Sequence, residues 1–325
     1  MKSNLRLLYF LILLTAATGA MWWFDNGGGN IQADAQTNFV IEDTSLVNKI
    51  FIADNFGQVL LERVLGERLW TVNGGMSARK SSIDLLLKTF KRIAVKGAVP
   101  EKQRETVIRN LAGSAKKVEI YTGGETPLKT WYVGTSTANH TGTYMLLETT
   151  EDGKSSEPFI THLEGFTGYL TTRFFTDLDE WRYTGIFEYP NKSLKSVEFT
   201  DHEHPINSFK IEADSVGGLK LFSATGTEVA YRDTLAVQDQ FIRFRKVHFE
   251  SWNNRLNDAA QDSLRALPAR FSIACTGFNE VSAGVDLFEK DEEQMYGIAT
   301  NEDQIVLVQT FVFNPLIVGI QPMLK

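Results

Sequence analysis

Two similar stretches decide the fold: SLVNKIFIAD at residues 45–54 and SLKSVEFTDH at residues 193–202. Both alternate apolar and polar residues, which is the period of a β-strand with one buried face. Their starting points are 193 − 45 = 148 residues apart in a chain of 325 residues. Self-similarity at a fixed spacing indicates a repeated architecture, so the sequence predicts that one unit occurs twice.

Three further pairs of segments follow in the same order. The segment around Trp70 pairs with the segment around Phe222 at an offset of 222 − 70 = 152. LAGSAKKVEIYTG, from Leu111, pairs with LRALPARFSIACTG, from Leu264, at 264 − 111 = 153; this matches Val118 and Ile120 with Phe271 and Ile273. YMLLETTED, from Tyr144, pairs with MYGIATNED, from Met295, at 295 − 144 = 151.

Helical spacing of apolar residues appears after the second strand pair of each copy. The residues that would line one helix face are Ile83, Leu86, Leu87 and Phe90 in the first copy and Val237, Phe241 and Phe244 in the second. Strands and helices do not alternate strictly, so the predicted fold class is α+β: two tandem copies of a mostly antiparallel sheet with helices on one face, after an N-terminal transmembrane helix.

The predicted domain organisation has five parts. These are a transmembrane anchor or uncleaved signal at 1–24, a flexible tether at 25–42, a first α+β repeat at 43–167, an aromatic connector at 168–190 and a second α+β repeat at 191–325.

The segment at 1–24 predicts that the chain is exported across the cytoplasmic membrane. Lys2 and Arg6 precede eighteen uncharged residues, from Leu7 to Phe24, which as a helix would span roughly 27 Å, close to the thickness of a bilayer core. Trp22 and Trp23 end this run, where an interfacial belt would lie. The alternative is a cleaved signal peptide. The anchor interpretation predicts a single-pass protein of the inner (cytoplasmic) membrane with most of the chain on the periplasmic side.

Composition narrows the function classes. A net charge of −7 argues against a nucleic-acid partner, which needs a concentrated basic face. The single cysteine, Cys275, lies in the apolar run FSIAC, so it predicts a buried thiol, with neither a disulfide nor a cysteine metal cluster. No cofactor is predicted, because DGKSS at 152–156 lacks the earlier glycine of a phosphate-binding loop.

DHEHP, at residues 201–205, resembles a metal site because it holds two histidines, an aspartate and a glutamate. At the offset of 148 it falls on ADNFG, 53–57, a turn sequence without histidine. We therefore predict that His202 and His204 are polar residues at an exposed hairpin tip. No metal ligand and no catalytic residue is predicted.

The connector is the candidate interaction surface. Aromatic and arginine side chains dominate contact energies in protein interfaces, and this segment is rich in them. The predicted interaction residues are Tyr169, Arg173, Phe174, Phe175 and Trp181. The competing interpretation, which we favour for Phe175 and Trp181, is that these aromatic residues join the two repeats and that their rings turn inward.

Several segments together resemble the DUF4340 family of bacterial proteins, in the form found in Bacteroidetes. They are LWTVNG (69–74), KVEIY (117–121), KTWYVG (129–134), GTYMLLE (142–148) and GFTGYLTTRFFTDLDEWR (165–182). The resemblance covers most of the first repeat and the connector, and the second repeat more loosely. It implies a single N-terminal membrane segment and an association with ABC-type transporters or gliding-type systems, and it implies no activity for any residue.

Three functions are compatible with this sequence. The favoured one is a non-enzymatic, membrane-anchored binding or scaffold module of the bacterial envelope whose partner is another envelope protein. The first alternative is an exported solute-binding protein with a site between the repeats. The second is an envelope hydrolase with an acidic site.

Overall fold

The structure is a computed structural model that describes residues 15, 18, 37–64, 66, 68–190, 192–231 and 233–324. The predicted anchor at 1–24 lies outside the described residues apart from Thr15 and Thr18, as does the tether up to residue 36. Within the described ranges, no helix is long and apolar enough to cross a membrane. Contacts divide the chain into a first unit, Met1–Arg182, and a second unit, Tyr183–Lys325.

The first unit contains ten strands and two long helices within its described residues. In chain order they are β1 (Lys49–Ala53), β2 (Gln58–Glu62), β3 (Thr71–Val72), β4 (Met76–Ser77), α1 (Lys80–Arg92), β5 (Ile93–Ala98), α2 (Glu101–Ser114), β6 (Lys116–Tyr121), β7 (Lys129–Ser136), β8 (Thr143–Thr149), β9 (Gly153–Lys154) and β10 (Phe159–Leu163).

These strands form one antiparallel sheet in the order β4-β3-β2-β1-β6-β7-β8-β10-β5, and β9 pairs with β8 beside this path. The first strand, β1, is therefore central, between β2 and β6. The strand β5, which follows α1, ends the sheet and pairs with β10.

The two helices of the first unit cover opposite faces of this sheet. Leu147 on β8 shares a core with Phe90 of α1, whereas its neighbour Leu146 shares a separate cluster with Val107 and Leu111 of α2. Adjacent residues of a strand point to opposite faces. The expectation of helices on one face is therefore wrong. The physical reason is the run Met145–Leu147, which is buried at every position and needs cover on both sides.

The second unit contains eleven strands and three helices in the part of the chain that the structure describes. In chain order they are β11 (Gly185–Glu188), β12 (Leu194–Asp201), β13 (Phe209–Ala213), β14 (Leu219–Ser223), β15 (Glu228–Val229), α3 (Thr234–Arg243), β16 (Lys246–His248), β17 (Ser251–Trp252), α4 (Asp258–Ala266), β18 (Phe271–Gly277), β19 (Ser282–Glu289), β20 (Gln294–Ala299), β21 (Val306–Gln309) and α5 (Thr310–Phe313).

The second sheet has the order β15-β14-β13-β12-β18-β19-β20-β21-β17, while β11 and β16 form a separate two-stranded sheet. Position by position this is the order of the first sheet, with β12 in the place of β1 and β17 in the place of β5. The helices again lie on opposite faces, because Leu287 shares a core with Phe241 of α3 and its neighbour Phe288 packs with Leu264 of α4. The molecule is thus an α+β protein with antiparallel strands in two large sheets.

The pairing of the strands gives a spacing between corresponding residues that differs from the spacing read from the sequence. Ile50 pairs with Ile120 in the first sheet, and Val197 pairs with Cys275 at the matching place in the second. The counterpart of Ile50 is therefore Val197, at 197 − 50 = 147, and not Glu198, which the offset of 148 gives. Strand side chains alternate between two faces, so a slip of one residue would match a buried side chain with an exposed one.

Two other sequence matches are corrected in the same way. Leu61 pairs with Val72 in the first sheet, and the counterpart of Leu61 in the second sheet pairs with Leu221. Leu221 is therefore the counterpart of Val72, so Trp70 and Phe222 are not equivalent. The ladder between β1 and β6 also makes Ile273, and not Phe271, the counterpart of Val118.

Candidate functional site

The stretch DHEHP ends β12 and begins the turn to β13. Asp201 is buried, and its Oδ1 accepts the backbone N–H of His204 at 2.9 Å, while Asn207 Nδ2 donates to Oδ2 at 3.1 Å. Arg270 forms an ion pair with the same carboxylate. Burial by itself would raise the pKa of Asp201, but the hydrogen bonds and Arg270 outweigh burial and lower it. Asp201 is therefore an ionised group that holds the turn together.

The two histidines of this stretch are exposed. His202 Nε2 lies 2.8 Å from Ser272 Oγ, and the His204 Nδ1 lies 4.0 Å from Asp201 Oδ1. The prediction of polar side chains at an exposed hairpin tip is confirmed. Among the described residues, no group of three or more His, Cys, Asp and Glu side chains is arranged to hold a metal ion.

Carboxylates also gather around Arg270. Its Nε lies 3.2 Å from Glu203 and 3.8 Å from Glu289, in addition to the ion pair with Asp201. One half-buried guanidinium thus lies within 4 Å of three carboxylates. An acidic hydrolase needs a carboxyl whose pKa is raised, and this arrangement stabilises the charged form of Asp201 instead.

The first unit has the same turn at Asp54, the counterpart of Asp201 at an offset of 201 − 54 = 147. Its Oδ1 accepts the N–H groups of Phe56 at 2.8 Å and Gly57 at 3.1 Å, and Thr176 Oγ1 donates to Oδ2 at 2.8 Å. The acidic residue of DHEHP is thus part of the hairpin, and the histidines are additions of the second unit.

The connector residues lie mainly in the core of the first unit. Phe174 and Trp181 are 0% and 1% exposed, so in this fold they are not accessible to a partner. Trp181 Nε1 donates to the Phe175 carbonyl at 3.0 Å, and Arg173 Nη1 donates to Thr89 Oγ1 at 2.9 Å. Tyr169, Arg173 and Phe175 are half-buried, and their interaction role stays a prediction.

Cys275 is fully buried on β18, as the sequence predicted, and burial raises the pKa of its thiol. It occupies the place of Ile120 in the first unit and acts as a small apolar side chain.

A groove of about 480 Å³ runs along β5, at the end of the first sheet. One wall is the end of α1 and the start of β5, from Lys91 to Lys96, together with Glu164. The other wall is the segment before β1, with Thr37, Asn38 and Val40. The groove therefore lies between the strand edge and an extended piece of the same unit.

The wall formed by residues 37–41 is held firmly. Phe39 is buried against Trp131 and Phe159, with ring centroids 6.0 and 6.3 Å apart. Lys129 Nζ donates to the Asn38 and Val40 carbonyls at 2.5 and 2.7 Å. Because both the ring and the backbone are fixed, the groove is preformed.

The opposite wall carries positive charge. Lys91, Arg92 and Lys96 are all exposed and line the groove, against one lining carboxylate, Glu164. Arg92 Nη2 donates to the Glu164 carbonyl at 2.9 Å, which leaves the Glu164 carboxylate outside that contact. Positive charge is therefore concentrated at this groove, although the whole chain has a net charge of −7.

The strand β5 also presents an open edge. Within the described residues it ends the sheet and pairs on one side, with β10. An edge strand directs alternate backbone N–H and C=O groups away from its neighbour, which makes it a template for another strand. The groove thus combines backbone hydrogen-bonding groups with basic side chains.

In the second unit, the segment before β12 forms β11, which pairs antiparallel with β16, the strand that follows α3. This pair is separate from the large sheet, whose end strand β17 pairs with β21. In the first unit, the segment before β1 contacts the end of α1, where the Ile41 N–H donates to the Phe90 carbonyl at 3.0 Å.

A second groove, of about 550 Å³, lies in the second unit. Its apolar lining comes from Val247, Phe249, Val312, Pro315 and Leu316, and its polar lining from Arg243, Lys246, His248, Glu250 and Gln309. It has two basic side chains against one carboxylate, compared with three against one in the first groove, so its positive charge is weaker.

Comparisons of this chain with protein-family models, with curated proteins and with solved structures find no match.

The groove along β5 was not predicted from the sequence. The local signal was present in KRIAVKGA at residues 91–98, an apolar strand with basic residues before and within it. Its position at the end of the sheet depends on the pairing order, which the residues of one strand do not specify.

Proposed function

We propose that the protein is a non-enzymatic binding module of the bacterial envelope, and that the groove along β5 is where it binds another envelope protein. The observation that carries this proposal is the union of an open strand edge with Lys91, Arg92 and Lys96 in a preformed groove. Backbone pairing provides affinity at such edges, and charge provides selectivity.

The proposal includes a tandem duplication, with copies at 43–167 and 191–325. It is supported by the shared strand order, by the helices on opposite faces in both units, and by the turn-forming pair Asp54 and Asp201.

The proposed location is the inner membrane, with the described units on the periplasmic side. The support is the uncharged segment from Leu7 to Phe24 after Lys2 and Arg6, and the resemblance to the DUF4340 family. Membership of that family, and an accessory role beside an ABC-type transporter or a gliding-type system, belong to the proposal.

The test is affinity purification of the tagged full-length chain from detergent-solubilised envelope. The groove variant is Lys91→Glu/Lys96→Glu, and the matched control is Lys88→Glu/Lys102→Glu, which makes the same charge change at exposed positions outside the groove. We expect the partner to co-purify with the wild type and the control and to be lost from the groove variant. Equal recovery with all three would contradict the proposal, provided that their melting temperatures agree.

A further inference from the structure

The open edge of β5 restricts the kind of partner that fits the groove, and this inference rests on the function proposed above. We propose that the occupant is an extended, acidic segment of the partner protein, which adds to β5 as an antiparallel strand.

The extended conformation follows from the second unit. There the segment before the first sheet strand pairs with the segment after the first helix, as β11 with β16. A chain segment can therefore pair as a strand with the residues that follow the first helix, although β11 and β16 form a sheet of their own. In the first unit, residues 94–98 pair on one side with β10 and have no second pairing strand among the described residues. Antiparallel addition is the geometry of that internal pair and of every other ladder in the molecule.

The charge preference follows from the lining. Lys91, Arg92 and Lys96 bring three positive charges to one wall, and Glu164 brings one negative charge. The internal pair shows the same complementarity, because Glu188 of β11 lies opposite Lys246 of β16. Opposite charges directly across a strand pair are favourable, and like charges are unfavourable.

The side chains of β5 also suit an added strand. Ala94, Val95 and Gly97 are half-buried and small or β-branched, and a Cβ built at Gly97 meets no atom within 4 Å. Side chains point to the faces of a sheet, so the face over Gly97 is open to a side chain of an added strand.

The first experiment titrates a fluorescently labelled peptide of eight alternating Glu and Val residues against the full-length protein in detergent, with fluorescence anisotropy as the readout. We expect saturable binding that is weakened about tenfold or more by Lys91→Glu/Lys96→Glu and unchanged by Lys88→Glu/Lys102→Glu. A peptide of alternating Lys and Val should not bind. Equal binding of the acidic and basic peptides, or no binding of either, would overturn the inference.

The second experiment separates strand addition from simple charge attraction. The same acidic peptide is methylated at the backbone nitrogen of alternate residues, in both of the two registers, which removes its hydrogen-bond donors on one edge at a time. We expect one of the two methylated peptides to lose binding by about tenfold or more, since one edge of the peptide must pair with β5. Undiminished binding of both methylated peptides would show attraction without strand pairing and would overturn the inference.

Hydrogen exchange then locates the contact. Bound unmethylated peptide should slow amide exchange in residues 94–98 and leave the second-unit strand β15 unchanged. Protection, in the protein without peptide, of those amides of residues 94–98 that do not bond to β10 would mean that the chain covers its own edge, which also overturns the inference. If the envelope partner still depends on the groove while the peptides fail, the proposed function stands and this inference alone falls.

Discussion

At the scale of single residues, the turn-forming carboxylates carry a testable electrostatic role. Asp201 joins its own turn to Arg270, and replacing it by Asn removes the charge while keeping the size. Hydrogen bonds to a charged group contribute about 1.5–3 kcal/mol each, so we expect Asp201→Asn to lower the free energy of unfolding by about that amount. Chemical denaturation at neutral pH measures this. The exposed substitution Asp262→Asn should change it by less than about 0.5 kcal/mol.

The same residue predicts a pH dependence. The pKa of Asp201 is lower in the folded protein than in the unfolded chain, so its contribution is fully present above the unfolded value of about 3.9 and is lost as the pH falls towards the folded pKa. The stability of the wild type should therefore fall more steeply than that of Asp201→Asn below about pH 4. If the free energy of unfolding fell equally with pH in the two proteins over the acidic range, this role for the carboxylate would be refuted.

Trp181 is a connector residue whose ring was expected to turn inward, and the structure places it in the core of the first unit. Its ring is 1% exposed in the core of the first unit, and its carbonyl accepts the Arg79 N–H that precedes α1. Large buried aromatic residues replaced by Ala cost about 3–5 kcal/mol, a large share of the about 5–15 kcal/mol that stabilises a domain. We expect Trp181→Ala to lower the melting temperature sharply. Phe56→Ala, at a side chain that is 96% exposed, should leave it nearly unchanged.

At the scale of elements, α3 offers a defined helix start. Asp233 Oδ1 accepts the N–H groups of Leu235 at 2.9 Å and Ala236 at 3.0 Å, so it is the N-cap. We expect Asp233→Ala to destabilise the protein by about 1 kcal/mol, as measured by chemical denaturation. Asp239→Ala in the same helix removes an exposed pair with Arg243 and should cost less than about 0.5 kcal/mol. Equal effects of the two substitutions would count against the capping role.

The elements also show what local sequence predicts well. The helical spacing of Ile83, Leu86 and Phe90 predicted their burial, because a stripe at 3.6 residues per turn needs an apolar surface to cover it. The repeat was detected but its strands were matched one residue out of step, since sparse identities do not fix a register whose period is two. The turn carboxylates would have fixed it, because Asp54 and Asp201 stand at the true offset.

At the scale of the whole molecule, the two large sheets share one strand order, and the second unit adds the separate pair of β11 with β16. The sequence could indicate this similarity, because both units bury the same pattern of strands. It could not reveal the open edge, because pairing order joins residues far apart in the chain, such as Leu163 with Ile93. The candidate groove is thus a property of the assembled unit, although each of its basic residues is visible in the sequence.

The central place of β1 has a mechanical consequence. Tension applied to the first unit from its amino-terminal side passes through the fixed segment at 37–41 and then reaches β1, which is joined by five residue pairs to β2 and by five more to β6. An edge strand would peel away one hydrogen bond after another, whereas a strand held on both sides must slide against both neighbours at once. A load along the chain would therefore be borne by both ladders together, and the first unit would resist it until the two ladders broke at once.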